Sequence, residues 1–560
     1  MVLLNGRVVT LDAGSRIVEA IAVRDGRIAG VGKSAEMRVL AGADTKTIEL
    51  AGRTVIPGLI DSHIHAIRAG HRYASEVSWI GARTLAEALE RVRVAAKVAP
   101  PGGWLVVAGG WTPQQFAEAR RPTLAELVAV AGGHPAYVQL FYRAVLMTPK
   151  ALDALSIHGD ENVALPGRSG ASADAASGQL EREPDGRPNG WIAGDSATIT
   201  ALYNRLPKPA VADSVEGTRR YFRELNRYGL TGVIDPGGHN LAPEDYAALF
   251  GLWRQGGLTL RVAYSIFAPR RGQELEDFRQ LTRFLPMGTG DDMLRFNGIG
   301  ECVTWGMYNN DTPTEAQKVE FHRVALWAAG QGMTLTAHWN NDRSVHHLLD
   351  VLERVDREVP VRDLRWSIAH LHDASEASLA RMKALGVGWL TQDGLHFAAP
   401  SFVAERGRAA LARMPPIVSA GRLGIPTGGG TDANRVMSHN PFVSLRWMLD
   451  GLTVDGITTR GPAEIPTREQ ALRIYTAGSA WFAHDEGRRG TLEPGRLADL
   501  AVLSADYFSV PTAEIDRIEA VLTLVGAKVV YAAGVYAGTA DIGPGRRPPH
   551  PNPRPGGERE

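Results

Sequence analysis

Eight short apolar runs, each followed by a stretch of helical periodicity, leave few architectures open to this chain. They are Ile56–Ile60, Gly232–Ile234, Arg261–Tyr264, Phe296–Gly300, Leu335–Ala337, Ile368–Ala369, Val387–Leu390 and Ile425–Thr427. Strands that alternate with helices pair in parallel, because a parallel neighbour is reached only through a crossover. Eight such units, at about 30 residues each, are what a (β/α)₈ barrel requires. From Val233 onward the runs keep close to that spacing. The interval from Ile60 to Val233 instead holds roughly 140 residues more than one unit needs. This extra segment, 66–230, carries its own apolar runs (Trp104–Val107, Tyr137–Leu140) and a turn-rich stretch from Gly167 to Gly190. Long βα loops belong at the C-terminal mouth of a barrel, so the insert is expected to cap it.

The two ends of the chain have a different pattern. Val2–Leu4, Arg7–Thr10, Ile21–Val23 and Ile28–Val31 are short β-type runs, with Asn5-Gly6 and Asp25-Gly26 as hairpin signals between them. Asp499–Leu503, Ala520–Thr523 and Lys528–Tyr531 repeat the style. Neither end alone buries much of a sheet. The expected organisation is therefore α/β: a (β/α)₈ TIM-type barrel over 56–484, with one small β-sandwich built from 1–55 and 485–540. The tail, 541–560, is rich in Pro, Gly and Arg and is expected to be disordered.

Composition narrows the function. Sixty-one basic and 61 acidic residues cancel, which provides no field for nucleic acid or anionic lipid. A single cysteine, Cys302, excludes an internal disulfide and a cysteine-built zinc site. The first residues lack the basic segment and long apolar run of a signal peptide, and no apolar stretch is long enough to span a membrane. The expectation is a cytoplasmic protein with a small-molecule substrate and neither a nucleic-acid nor a membrane partner. A homodimer is compatible with this sequence, which does not reveal the oligomeric state.

The 16 histidines carry the chemical signal. His63 and His65 stand two apart where the first strand ends, and strand residues two apart face one side. His338 ends the fifth run, His370 the sixth, and Asp432 follows the eighth. Independent surface histidines would not fall repeatedly at this one structural place. Four imidazoles and a carboxylate, with a bridging group, form an N/O site suited to zinc or a similar divalent ion.

At IPGLIDSHIH (56–65) the chain resembles the amidohydrolase superfamily. The narrower match is to the family-3 amidohydrolases, a group that includes N-substituted formamide deformylases. It comes from Gly109-Gly110-Trp111 with Arg121-Pro122-Thr123, from GLTGVIDPGG (229–238), from residues 366–397, and from GTLEPGRLADLAVL (490–503). The resemblance implies a barrel with a composite sandwich and metal-dependent hydrolysis of C–N bonds. It implies His63, His65, His338 and His370 as metal ligands, and Asp432 as both ligand and general acid/base toward a metal-activated hydroxide. One or two ions are expected, most simply Zn²⁺. Many relatives place a carboxylated lysine at the fourth strand, where this chain has Glu301 and Cys302. In an extended strand only one of these two reaches the metal, Glu301 being the candidate bridge and Cys302 the alternative.

His370 or His372 would stabilise the oxyanion, with His372 otherwise contacting substrate. Trp111, Phe116, Tyr142, Trp305, Tyr308, Gln392 and His396 are candidates to line the pocket, and Arg143 to meet a substrate carboxylate. His346 and His347 are expected at the surface of a helix, and His71 at the opening of the insert. Ester or lactone hydrolysis, decarboxylation and isomerisation share this platform and stay open. A non-catalytic binding protein is disfavoured by the near-complete ligand set.

Overall fold

The computed structural model describes residues 1–157, 163–164, 177–238, 241–407, 411, 414–433 and 435–541. The tail from 542 onward, expected to be disordered, lies outside the described residues, as do residues 167–176 of the turn-rich stretch. The rest of that stretch enters a hairpin of Ser177–Arg182 and Pro188–Ala193, turning at Asp185-Gly186. Among the described residues no helix is long and apolar enough to cross a membrane.

Eight parallel strands organise the centre: β1 (Leu59–Asp61), β2 (Leu230–Asp235), β3 (Arg261–Ile266), β4 (Leu294–Ile299), β5 (Thr336–Trp339), β6 (Ser367–His370), β7 (Gly388–Gln392) and β8 (Thr427–Gly430). They pair as two four-stranded sheets, β1 to β4 and β5 to β8, in chain order. The sheets meet at both pairs of edges. Ile299 bridges Leu335 in parallel register, and the Ser62 N–H donates to the Gly429 carbonyl at 2.9 Å. Ile234, Ala263, Ala369 and Leu390, one from each of four strands, form an apolar layer with Phe482. That layer separates two polar ends. Above it, past the C-terminal ends of the strands, stand the histidines; below it lies a network of arginines and aspartates.

In the lower network Arg261 forks onto Asp499 (2.7 and 3.0 Å), while Arg295 and Arg489 converge on Asp485 (2.8 and 2.9 Å). Asp485 and Arg489 are almost fully buried. Removing one partner of a buried pair leaves an uncompensated charge. Asp485→Ala is therefore expected to lower the unfolding free energy by about 3–5 kcal/mol. Denaturant unfolding checks this, and a loss under about 1 kcal/mol would place the pair among ordinary surface bridges.

The chain ends combine into common sheets. Arg7–Val9 and Thr54–Pro57 from the N-terminal segment pair with Leu500–Leu503 and its neighbours in one six-stranded sheet. A four-stranded sheet faces it, and Leu3, Ile21 and Ile28 of the latter share an apolar cluster with Val8, Val55, Leu500 and Leu522 of the former. The run Ile56–Ile60 does not form a single strand. Pro57 ends a strand of the six-stranded sheet and Leu59 begins β1. The break is at Gly58, where an added Cβ would lie 2.2 Å from Thr231. The inserted segment has a six-stranded sheet of its own and a separate apolar cluster around Trp79, Trp111, Phe116 and Trp191.

Candidate metal centre

β1 stops at Asp61, so His63 and His65 lie in the bend beyond it and not on the strand. They converge nonetheless, with ring centroids 5.6 Å apart, because the bend is fixed from both sides. The Asp61 carboxylate accepts the His63 N–H at 3.0 Å and the Thr431 hydroxyl at 2.6 Å, tying the end of β1 to the end of β8. On the other flank, Asp235 accepts the N–H groups of Ile67 (2.8 Å) and Gly237 (3.0 Å). The Gly237 carbonyl takes His65 Nδ1 at 2.7 Å, which turns Nε2 toward the cluster. Glycine is required at 237: its φ is +80° and a Cβ would sit 2.4 Å from the Gly300 carbonyl.

Glu301 stands among four imidazoles. Its Oε2 lies 2.9 Å from His338 Nδ1, 3.4 Å from His63 Nε2 and 3.5 Å from His370 Nε2, and its Oε1 lies 3.3 Å from His65 Nε2. Asp432 Oδ1 approaches His65 Nε2 at 3.1 Å and His63 Nε2 at 3.7 Å. Two donor groups result, His63–Glu301–His370 and His63–His65–Asp432, each with its ligand atoms within 4.8 Å of one another. His338, expected as a ligand, is outside both groups. Its Nδ1 faces Glu301, and the Asn340 amide reaches its Nε2 at 3.3 Å. His370, Leu371 and Asp432 adopt left-handed backbone with φ of 72°, 39° and 51°. Such strain, of order 1–3 kcal/mol per residue, gathers where side chains must be aimed.

The electrostatics suit a cation. Burial works to raise the carboxyls, but His338 and the neighbouring imidazoles hold Glu301 well below the usual range, and His65 and His370 hold Asp432 at about 2. Burial and Arg68 work to lower His65, yet Asp432 and Glu301 raise it to about 10. Burial, helped by His338, pushes His370 down to about 4. Both ring nitrogens of His63 and Nε2 of His370 are buried without a hydrogen-bond partner. Such orphaned lone pairs beside two anionic carboxylates fit a divalent metal. The side chains of His338 (14 % exposed) and Asp432 (11 %) are the open edge of the cluster, since those of His63, His65, Glu301 and His370 are at most 4 % exposed.

Of the two residues in question after β4, Glu301 is the one in the cluster. Cys302 is in neither donor group, and burial raises its thiol well above the usual range, which keeps it neutral. The Tyr308 ring stacks on His338 at 4.4 Å, and Trp305 packs beside Tyr308 at 6.0 Å. His372 is half-buried, its ring 6.0 Å from that of His370. Gln392 Oε1 accepts the His370 N–H at 3.0 Å.

Three pocket candidates need correction. Trp111 is fully buried inside the insert, donating to the Gln139 carbonyl at 2.7 Å and stacking with Phe116, so both aromatics pack the insert's core. His396 is held at Nδ1 by the Leu452 carbonyl at 2.7 Å, which anchors the helix after β7. Tyr142 is half-buried and Arg143 exposed. The buried guanidinium near Tyr142 is that of Arg435, three residues after Asp432, which lies over the Tyr203 ring at 3.7 Å. Sequence patterning had no periodic signal for Arg435, Asp61 or Asp235, although Asp61 sits two residues before His63. His346 is exposed and His347 half-buried on the helix Asp342–Glu358, and His71 is on the short helix Ala66–Arg72 that follows His65.

Comparison with known proteins agrees with this architecture. An N-substituted formamide deformylase of Arthrobacter pascens is 24 % identical over 95 % of this chain and 98 % of its own. Protein LONG AFTER FAR-RED 3 of Arabidopsis thaliana is 24 % identical over 95 % and 91 %. The crystal structure of an uncharacterized metal-dependent hydrolase from Pyrococcus horikoshii OT3 shares the fold at a TM-score of 0.64 and 19 % identity, covering 91 % of this chain and 99 % of that one. The Amidohydrolase family model matches residues 46–531, nearly the whole described body including every residue of the cluster. The chain thus belongs to the amidohydrolase family and is a hydrolase acting on carbon–nitrogen bonds.

Proposed function

We propose that this protein hydrolyses a non-peptide amide-type bond of a small organic substrate, using one or two divalent ions, most simply zinc. The observation that carries this is Glu301, whose two oxygens lie within 3.5 Å of nitrogens from four histidines, two of them with orphaned Nε2 atoms. His63, His65, Glu301, His370 and Asp432 would hold the metal, with His338 steadying Glu301. The two parallel sheets are read as the halves of a (β/α)₈ barrel, the insert 66–230 as its cap, and the sheets of the chain ends as a β-sandwich. When bound, the ion supplies Lewis-acid polarisation and a nucleophile at neutral pH.

The chain's own residues do the rest. Asp432, at the open edge, accepts the proton of the attacking water and delivers it to the leaving nitrogen, so that the amine departs neutral. His65, His370 and His63 keep that carboxylate ionised. Tyr308 and Trp305 form an aromatic wall beside His338, which suits an apolar or aromatic acyl or amine group.

The test is product analysis on matched amides and esters: N-substituted formamides, the class named for the Arthrobacter relative, N-acetyl amines, and the corresponding esters and lactones. Amine and acid should be released from at least one amide, the activity disappearing on chelation and returning with Zn²⁺. Activity that survives chelation, or turnover of esters alone, would overturn the proposal.

A further inference from the structure

On the hydrolase assignment proposed above, we infer that Gln392 touches the substrate, its amide N–H donating to the oxygen of the scissile carbonyl as negative charge builds there. Gln392 is the last residue of β7. Leu390, two residues earlier, belongs to the apolar layer inside the strands. Strand side chains two apart share a face, so Gln392 occupies the same interior column one layer closer to the histidines. It is fully buried.

The orientation of its amide is determined. At 3.0 Å from the His370 backbone nitrogen, the facing atom must accept a hydrogen bond, so it is the oxygen. Nε2 with its two hydrogens is therefore the part of the amide that His370 does not engage. Among the described residues Nε2 has no hydrogen-bond partner. A buried donor left unmet costs free energy, and turning the amide over to seek another partner would forfeit the bond to His370. β7 runs between β6, which ends at His370, and β8, which ends two residues before Asp432, so Gln392 stands at the end of the strand between those carrying the ligand and the acid–base carboxylate. A neutral donor fixed in a water-poor site loses nothing to reorganisation as the oxyanion forms.

Gln392→Met keeps the length and removes the donor. The metal-loaded variant is compared with wild type by calorimetric binding of methylphosphonate, a tetrahedral oxyanion, and by metal affinity in competition with a chelator. The dissociation constant for methylphosphonate should rise at least about tenfold, with metal affinity held within about threefold. On any amide turned over, kcat should fall by about 10²-fold with KM nearly unchanged. Gln392→Glu, which retains the acceptor for His370, should lose kcat on neutral amides similarly and guards against a folding defect in the first variant. The inference is overturned if methylphosphonate fails to bind wild type or binds the Met variant equally well. It is also overturned if metal affinity falls in parallel, since Gln392 would then act only by positioning His370. Absence of any amide turnover in wild type would count against the proposed reaction, while the phosphonate measurement would still decide the role of Gln392.

Discussion

Glu301→Gln lowers kcat/KM by about 10³-fold or more, equivalent to about 4 kcal/mol, and weakens metal binding by at least 10- to 100-fold. The substitution preserves volume and removes only the charge and one acceptor. The wild-type carboxylate is close to four imidazole nitrogens, between 2.9 and 3.5 Å, and is almost completely buried. An amide there would turn N–H donors toward at least one of the nitrogens a metal needs. It would also leave His338 without the anion that its Nδ1 faces. Steady-state kinetics and chelator competition on the two proteins provide the measurement. Activity and affinity both within tenfold of wild type would remove Glu301 from the ligand set and leave the site to the histidines and Asp432.

Asp432→Asn affects the other half of the chemistry. Loss of a positioned acid–base group lowers kcat by about 10²–10⁴-fold. Asp432 is attached to the cluster more lightly than Glu301, with one oxygen at 3.1 Å from His65 and 3.7 Å from His63, and its side chain is at the open edge. Metal binding in this variant should therefore fall less than in Glu301→Gln. Its backbone should keep its place, since the residue 432 N–H donates to the His63 carbonyl at 2.8 Å whatever side chain it carries. The contrast between the variants is the informative result: loss of metal with loss of rate at 301, loss of rate with most metal retained at 432. If Asp432→Asn keeps kcat within tenfold, the proton is carried by another group and the assignment of the base fails.

The spacing of apolar runs and the residue type at each strand end were legible in the sequence because both are local. A strand must be apolar where it is buried, and a ligand must sit where the strand releases the chain. His370 and Asp432 could be located for that reason, whereas His338, expected beside them as a ligand, faces Glu301 from within its strand and lies outside both donor groups. What the sequence did not reveal depends on partners far along the chain. The close approach that requires glycine at 58, where Ile56–Ile60 splits, is to Thr231, 173 residues on in the chain. The convergence of His63 and His65 comes from a bend held by Asp61, Thr431, Asp235 and Gly237, not from strand alternation. Trp111 looked like a pocket residue because an indole in a loop is chemically suited to bind substrate. Inside the insert it meets Trp79, Phe116 and a backbone carbonyl, and is structural. Arg143 and Arg435 show the same limit. Both are single arginines in segments without a periodic pattern, and only packing against Tyr203 of the inserted segment buries the second.

The central claim is that these side chains form a metal centre, and elemental analysis of protein purified without chelators tests it most directly. The wild type should carry at least one equivalent of a divalent metal, zinc or a close substitute, and Glu301→Gln prepared alongside should carry clearly less. Absence of stoichiometric metal in the wild type, even after loading with Zn²⁺ and desalting, would contradict the account.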